Sequence, residues 1–117
     1  MFTQLEQLFR KEEKKILERE SKNRDRIHLY SVGEYWAAFE KSAYLLGEHP
    51  FSQRLVICPQ GSPFPLVMGT VHWRDIASLC KERITAVRRT DYLQLLSDTI
   101  DPGMYRSWHN NNLKVYM

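Results

Sequence analysis

The chain has 117 residues, of which 43% are apolar and 26% are charged, and its formal net charge is +3. This length supports one domain with one modest core, and the mild positive charge permits a polyanionic partner without requiring one. No apolar run approaches the roughly 20 residues of a membrane helix, and the first residues lack the basic and apolar segments of a signal peptide. We therefore expect a cytoplasmic protein with no membrane partner.

The first half of the chain predicts a helix, a strand and a second helix. Residues 3–20 place apolar side chains on one helical stripe, and residues 27–31 alternate apolar and polar side chains as a half-buried strand does. Gly33 can take the positive φ of a turn. After this turn the apolar period becomes helical, which predicts a helix over residues 35–46 with a stripe formed by Trp36, Phe39, Ala43 and Leu46.

The second half predicts three further strands, at residues 54–58, 64–71 and 84–88. Helical segments are predicted at residues 73–83 and 92–97, and the stretch 104–117 is expected to form a short helix or an edge strand.

This alternation predicts an α/β (α+β) fold class, namely a single-domain mixed sheet flanked by helices. The expected domain covers residues 1–117, with an N-terminal helix (1–20), a mixed α/β core (26–97) and a C-terminal tail (101–117). Inward-facing positions of each element predict a buried core that contains Trp36, Phe39, Leu46, Val56, Val67, Ile76, Leu79 and Val87.

Residues that carry catalytic or metal chemistry are not arranged in recognisable motifs. Cys58 and Cys80 lack the spacing of a Cys-x-x-Cys pair, and the four histidines lack the spacing of a zinc site. Neither a Gly-x-Ser-x-Gly turn nor a Walker sequence is present. We therefore expect no catalytic residue, no metal and no cofactor, and a protein that is not an enzyme.

Two features can contact a ligand. Tyr35 lies off the apolar stripe, so its ring is either presented to stack on a base or lies on the surface with its hydroxyl in water. Arg88 and Arg89 close a predicted strand, where they could hold phosphates. The alternative for the arginines is a solvated pair that meets local acids, Glu82 and Asp91.

Two segments of the chain resemble the amino-terminal mismatch-recognition domain of the MutS family. Residues 29–43, Leu-Tyr-Ser-Val-Gly-Glu-Tyr-Trp-Ala-Ala-Phe-Glu-Lys-Ser-Ala, resemble its strand, its Gly-Asp-Phe-Tyr-Glu-like turn and its helix. Residues 63–72, Pro-Phe-Pro-Leu-Val-Met-Gly-Thr-Val-His, resemble its Pro-x-Pro-Met-x-Gly-x-Pro-x-His segment with one extra residue. The likeness runs in order through residues 4–90.

The resemblance implies a small mixed α/β domain in which an aromatic on the glycine turn wedges into the minor groove and stacks on a mispaired base. Tyr35 falls at this wedge position, and Glu34 keeps the acid of the turn. The family's base-contacting glutamate is replaced by Ala37, whose methyl group forms no hydrogen bond. The chain is too short to hold the family's clamp, lever and ATPase domains.

We therefore expect a non-enzymatic nucleic-acid-binding domain, related to mismatch repair by resemblance. It would bind DNA weakly and with low sequence specificity through Glu34, Tyr35, Arg88 and Arg89. The alternative is a protein-interaction or accessory module that kept this fold and lost DNA binding. Basic side chains around Tyr35 would favour DNA, whereas an apolar patch there would favour a protein partner.

Overall fold

The computed structural model describes residues 2–47, 52–58 and 65–116. Four helices lie in these segments: α1 (Phe2–Ser21), α2 (Lys41–Leu46), α3 (Ile76–Glu82) and α4 (Pro102–Tyr116). The strands are β1 (Arg26–Val32), β2 (Tyr35–Phe39), β3 (Gln53–Ile57), β4 (Leu66–His72), β5 (Thr85–Arg88) and β6 (Tyr92–Leu96). None of the described helices is both long enough and apolar enough to cross a membrane.

The six strands form one sheet in the order β3-β4-β2-β1-β6-β5. The predicted fold class, a single α+β domain with a central sheet flanked by helices, is confirmed. The sheet is antiparallel rather than mixed, because every strand pair in the described part of the chain runs in opposite directions. The pairs β1–β2 and β5–β6 are each joined by a short turn, which suffices for antiparallel neighbours but not for parallel ones.

Each face of the sheet is covered by helices. We call the two sides the α1 face and the α2/α3 face, after the helices packed against them. Buried side chains on the α1 face include Phe9 and Ile16 of α1 together with Tyr30, Phe39 and Met68 of the sheet. Those on the α2/α3 face are Ile27, Leu29, Ala38, Leu46, Val71, Leu79, Leu93 and Leu95.

The α2/α3 face depends on close helix packing at one glycine. A Cβ atom on Gly69 would lie 3.3 Å from Leu46 Cδ2 and 3.6 Å from Ala43, so glycine at this position lets α2 approach β4 closely. Helix α4 then packs on α2, where the Tyr44 ring lies 5.6 Å from Tyr105 and 5.2 Å from Trp108.

The prediction of a helix that starts at Tyr35 is wrong over residues 35–39, which form the central strand β2. Gly33, with φ of +63°, and Glu34 make a two-residue hairpin turn between the paired residues Val32 and Tyr35. Strand β2 then pairs with β1 on one side and β4 on the other. The helical spacing in the sequence combined a strand with the start of α2, and pairing on both edges outweighs that local pattern.

The predicted helix at residues 92–97 is also wrong, because Tyr92–Leu96 is strand β6. Its residues alternate between the two faces: Leu93 and Leu95 are buried on the α2/α3 face and Tyr92 on the α1 face. The segment is too short to show a helical period and bonds with β1 and β5 instead.

The other elements agree with the prediction. Helices α1 and α3 and strands β1, β3, β4 and β5 lie where the sequence places them, and the C-terminal stretch is a helix. Residue 64, the predicted first residue of β4, lies outside the described residues, as does residue 117. Of the predicted core, Phe39, Leu46, Val67 and Leu79 are buried, while the side chains that are only half-buried are Trp36, Val56, Ile76 and Val87.

A buried polar network joins the end of α1 to the start of α2. The Glu20 carboxyl accepts hydrogen bonds from the Ser42 amide (2.9 Å), the Ser42 hydroxyl (2.5 Å) and Asn23 Nδ2 (3.2 Å). The Ser42 hydroxyl also accepts from the amide of His28 (2.9 Å). Despite these donors, burial raises the pKa of Glu20 to about 7.

His28 is the second buried titratable group. Its side chain lies on the α1 face, where Nδ1 is 2.7 Å from the hydroxyl of Tyr92. Burial, together with the positive charges of Arg19 and Arg26, lowers the pKa of His28 to about 4. The imidazole is therefore neutral near pH 7, and its Nδ1 can accept a hydrogen bond from the Tyr92 hydroxyl.

Glu20 and His28 predict opposite pH dependences of stability. Between pH 4.5 and about 7 the folded state holds a Glu20 proton that the unfolded state lacks, so the free energy of unfolding falls as pH rises. Between pH about 4 and 6.5 the unfolded state holds the extra His28 proton, so the free energy of unfolding rises. We expect these two slopes, each limited to about 1.4 kcal/mol per pH unit, to offset each other in the overlapping window.

Urea unfolding of single variants, monitored by circular dichroism at several pH values, separates the pH dependences that the two residues cause. Glu20→Gln should make the free energy of unfolding rise between pH 4.5 and 6.5, and His28→Gln should make it fall. The side-chain amide introduced by Glu20→Gln can donate to the Ser42 hydroxyl, which then donates to the Arg26 carbonyl 3.5 Å away. A pH slope that Glu20→Gln leaves unchanged would contradict the raised pKa.

Candidate functional site

All four predicted site residues lie at one end of the sheet. Strands β1, β4 and β5 end there and β2 and β6 begin there, because the strands are antiparallel. Glu34 lies in the β1–β2 turn and Tyr35 begins β2, while Arg88 ends β5 and Arg89 begins the β5–β6 turn. The Asp91 carbonyl accepts a hydrogen bond from the Ser31 amide (3.0 Å), so the β5–β6 turn is fixed to β1.

Tyr35 and Glu34 group with His72. Tyr35 is half-buried and pairs with His72 across the strands; the two rings are 5.2 Å apart and nearly perpendicular. The Glu34 carboxylate is 3.8 Å from His72 Nε2 and 77% of its side chain is exposed. The Tyr35 ring therefore packs edge-on against a neighbour rather than projecting alone from the turn.

Trp36 faces the opposite side of the sheet, because successive side chains of a strand alternate. Its half-buried indole lines an open groove on the α2/α3 face, which Lys81 of α3, Arg88 and Arg89 also line. No carboxylate is among the described residues that line this groove. We call it the Trp36 groove, and its remaining walls are formed by Ile76, Ala77, Cys80, Thr90 and Leu93.

Arg88 and Arg89 are available to a ligand. Both are exposed, and within the described ranges neither has a carboxylate, Asp91 included, within ion-pair distance. The Arg89 amide donates to the Tyr92 carbonyl (2.8 Å), and its guanidinium lies 5.9 Å from the Tyr92 ring. The turn thus holds two cations in place at its surface.

Arg89 also borders a second groove, between α1 and the sheet. There it lies with three further cations of α1, and two carboxylates line the same groove. One of them, Glu12, is 4.0 Å from Lys15. This groove is charged but mixed in sign, so it attracts a polyanion less than the Trp36 groove does.

The structure brings Arg88 and Arg89 together with Trp36 and Lys81, not with Tyr35. Trp36 was not predicted as a site residue, because its spacing placed it on the buried stripe of a helix. Lys81 was not predicted either, because only the fold brings α3 beside Arg88 and Arg89. The alternation of Tyr35, Ala37 and Phe39, all on the α1 face, is the sequence signal that would have identified the strand.

Ala37 lies in the centre of the sheet, 1% exposed, between Tyr30 of β1 and Thr70 of β4. Its methyl group is part of the core on the α1 face. A ligand at the sheet end therefore does not reach this side chain.

No model of a known protein family, no curated protein and no solved structure matches this chain.

Because Trp36 is only half-buried, we expect its replacement by alanine to lower the free energy of unfolding only slightly. Phe39 is fully buried between the rings of Phe9 and Tyr30, so Phe39→Ala should lower the free energy of unfolding by about 3–5 kcal/mol. Trp36 opens onto the groove, so Trp36→Ala leaves no closed cavity and should cost about 1–2 kcal/mol. Urea unfolding of both variants measures the difference, and equal losses would mean that Trp36 belongs to the core.

Proposed function

We propose that the chain is a non-enzymatic, cytoplasmic binding module that holds nucleic acid in the Trp36 groove. The observation that carries the proposal is an indole flanked by Lys81, Arg88 and Arg89 in a groove whose lining, in the described segments, contains no carboxylate. Its free cysteines, Cys58 and Cys80, are compatible with a reducing compartment.

The two kinds of side chain in the groove match the two parts of a nucleotide. Lysine and arginine neutralise phosphates and release counterions, which supplies affinity without sequence preference. An aromatic ring that stacks on a base contributes roughly 1–3 kcal/mol, whatever the base. One half-buried indole beside three cations therefore favours unpaired nucleotides with little sequence preference.

The resemblance to the MutS mismatch-recognition domain supports DNA as the nucleic acid and remains part of the proposal. It assigns base stacking to Tyr35, whereas the geometry favours Trp36, because Tyr35 packs against His72 on the other face. The buried methyl of Ala37 offers no hydrogen bond to a base in either case. Mismatched and matched duplexes should therefore bind within about a factor of ten of each other.

A protein partner is the second candidate. Trp73, which follows β4, is 57% exposed at the same end of the sheet, and its amide donates to the Glu34 carbonyl (2.8 Å). Exposed tryptophan is enriched at protein interfaces. This surface lies beside Tyr35 and His72, and it would be the docking point if nucleic acid does not bind.

Fluorescence anisotropy of a labelled single-stranded oligonucleotide tests the first candidate at about 50 mM and about 200 mM salt. Arg88→Gln should weaken binding and reduce the slope of log K against log salt by about one, because it removes one phosphate contact. Trp36→Ala should weaken binding by roughly 1–3 kcal/mol, while Trp36→Phe should retain most of the affinity.

Two further variants serve as comparisons. Lys14→Gln removes an exposed charge of α1 that lines neither groove, so it should bind as the wild type does. Tyr35→Ala should have a smaller effect than Trp36→Ala, and the opposite order would assign stacking to the glycine turn. If no saturable binding occurs at low salt, the nucleic-acid proposal is wrong and the protein partner remains.

A further inference from the structure

A second cationic surface lies at the other end of the sheet, away from the Trp36 groove. A cavity of about 830 Å³ opens there between the end of α1, the start of α2 and the start of α4. Among the described residues, four cationic side chains and no carboxylate line it. These cations are Lys22, Arg24, Lys41 and Arg106.

Each cation is positioned by a different part of the fold. Lys22 and Arg24 follow the last turn of α1, and Lys41 is the first residue of α2. On α4, Arg106 lies on the same side as Tyr105 and His109, which also line the cavity. The Lys41 Nζ atom is 3.4 Å from the Ser21 carbonyl oxygen and 6.0 Å from the centre of the Tyr105 ring, so its stem is held at the cavity wall.

Most of this positive charge is uncompensated. Lys22 forms an ion pair with Glu18 at 3.0 Å. In the described part of the chain, Arg24, Lys41 and Arg106 have no carboxylate within ion-pair distance. Among the residues that the structure describes, three cations therefore face the cavity without a partner of opposite charge.

Two acids near the cavity, the half-buried Glu40 and the buried Glu20, are already engaged by protein donors. Glu40 accepts from the Val67 amide (3.0 Å) and the Tyr105 hydroxyl (3.0 Å), and its Oε2 is 2.6 Å from His109 Nε2. Glu20 accepts from Ser42 and Asn23. Because these carboxylates are bound within the fold, they do not fill the cavity or pair with its cations.

We propose that this cavity binds a small phosphorylated ligand of the pyrophosphate type, carrying three or more negative charges. Its volume lies within the roughly 300–1,000 Å³ of small-molecule sites. Arginine binds phosphate oxygens in a bidentate way and lysine binds them as a point charge. Arg24, Lys41 and Arg106 together match a ligand of this charge, whereas a monocarboxylate would leave two cations unpaired.

Isothermal titration calorimetry with inorganic pyrophosphate at low salt tests the proposal on the full chain. The wild type should bind with a saturable one-site isotherm. Arg24→Gln and Arg106→Gln should each raise Kd roughly tenfold, because each removes a charge-assisted contact. Both side chains are exposed, so circular dichroism should show an unchanged fold. Lys14→Gln, at an exposed position that does not line the cavity, is the matched control and should leave Kd unchanged.

Two comparisons separate this site from the Trp36 groove. Arg88→Gln should retain pyrophosphate binding, and pyrophosphate should not displace a labelled oligonucleotide from the wild type. Displacement that Arg106→Gln abolishes would assign the cavity to a nucleic-acid phosphate and overturn the proposal. The proposal also fails if pyrophosphate does not saturate, or if Lys14→Gln or Arg88→Gln loses as much affinity as the cavity variants.

Discussion

The fold depends on one strained residue, Glu40, where the central strand β2 changes into helix α2. Its φ of +52° makes it the one non-glycine residue with a positive φ among the described residues. The amide of Glu40 donates to the Val67 carbonyl (2.8 Å), its Oε1 accepts from the Val67 amide (3.0 Å), and its carbonyl accepts from the Tyr44 amide (2.9 Å). The side chain thus replaces a backbone bond of the β2–β4 ladder while the main chain turns into the helix. Such a conformation costs on the order of 1–3 kcal/mol and persists only where the surroundings fix it.

The same carboxylate positions α4. Its Oε2 accepts from the Tyr105 hydroxyl (3.0 Å) and lies 2.6 Å from His109 Nε2, so the strand–helix junction contacts two successive turns of α4. Burial and the neighbouring Glu40 charge hold the pKa of Tyr105 well above its ordinary value, which keeps the hydroxyl protonated as a donor. Because Tyr105 and His109 also line the cationic cavity, the geometry of that cavity depends on Glu40 as well. Glycine would relieve the backbone strain at this position but would remove these contacts.

The sequence predicted the fold class and most elements because they carry clear local periods. Helix α1 has its apolar stripe, and β1 alternates and is followed by a glycine turn. The two misassigned elements, β2 and β6, are the strands that flank β1, and their conformation is decided by partners distant in sequence.

The prediction of the site residues depended on the conformation assigned to β2. Moving Trp36 from a helix to a strand turns its indole onto the opposite face from Tyr35, and thereby places it beside Arg88 and Arg89. The cavity at the other end could not be predicted from the sequence, because it combines α1, α2 and α4, which are joined by the long-range contacts of Glu20 with Ser42 and of Glu40 with Tyr105.

The small net charge of +3 hides how the charges are distributed. In the stretch Arg10-Lys11-Glu12-Glu13-Lys14-Lys15 of α1, cations and anions are interleaved, and the groove beside this helix contains both signs. Both ends of the sheet differ from α1 in this respect. Arg88 and Arg89 at one end, and Arg24 and Arg106 at the other, have no carboxylate within ion-pair distance in the described part of the chain.

A polyanion responds to local potential, which is screened over about 10 Å at ordinary salt, rather than to the net charge of the chain. The two ends of the sheet are separated by more than this distance, because β1 has 7 residues and a strand rises about 3.3 Å per residue. Each end therefore presents its own field, and a ligand that binds one end leaves the charges of the other end available.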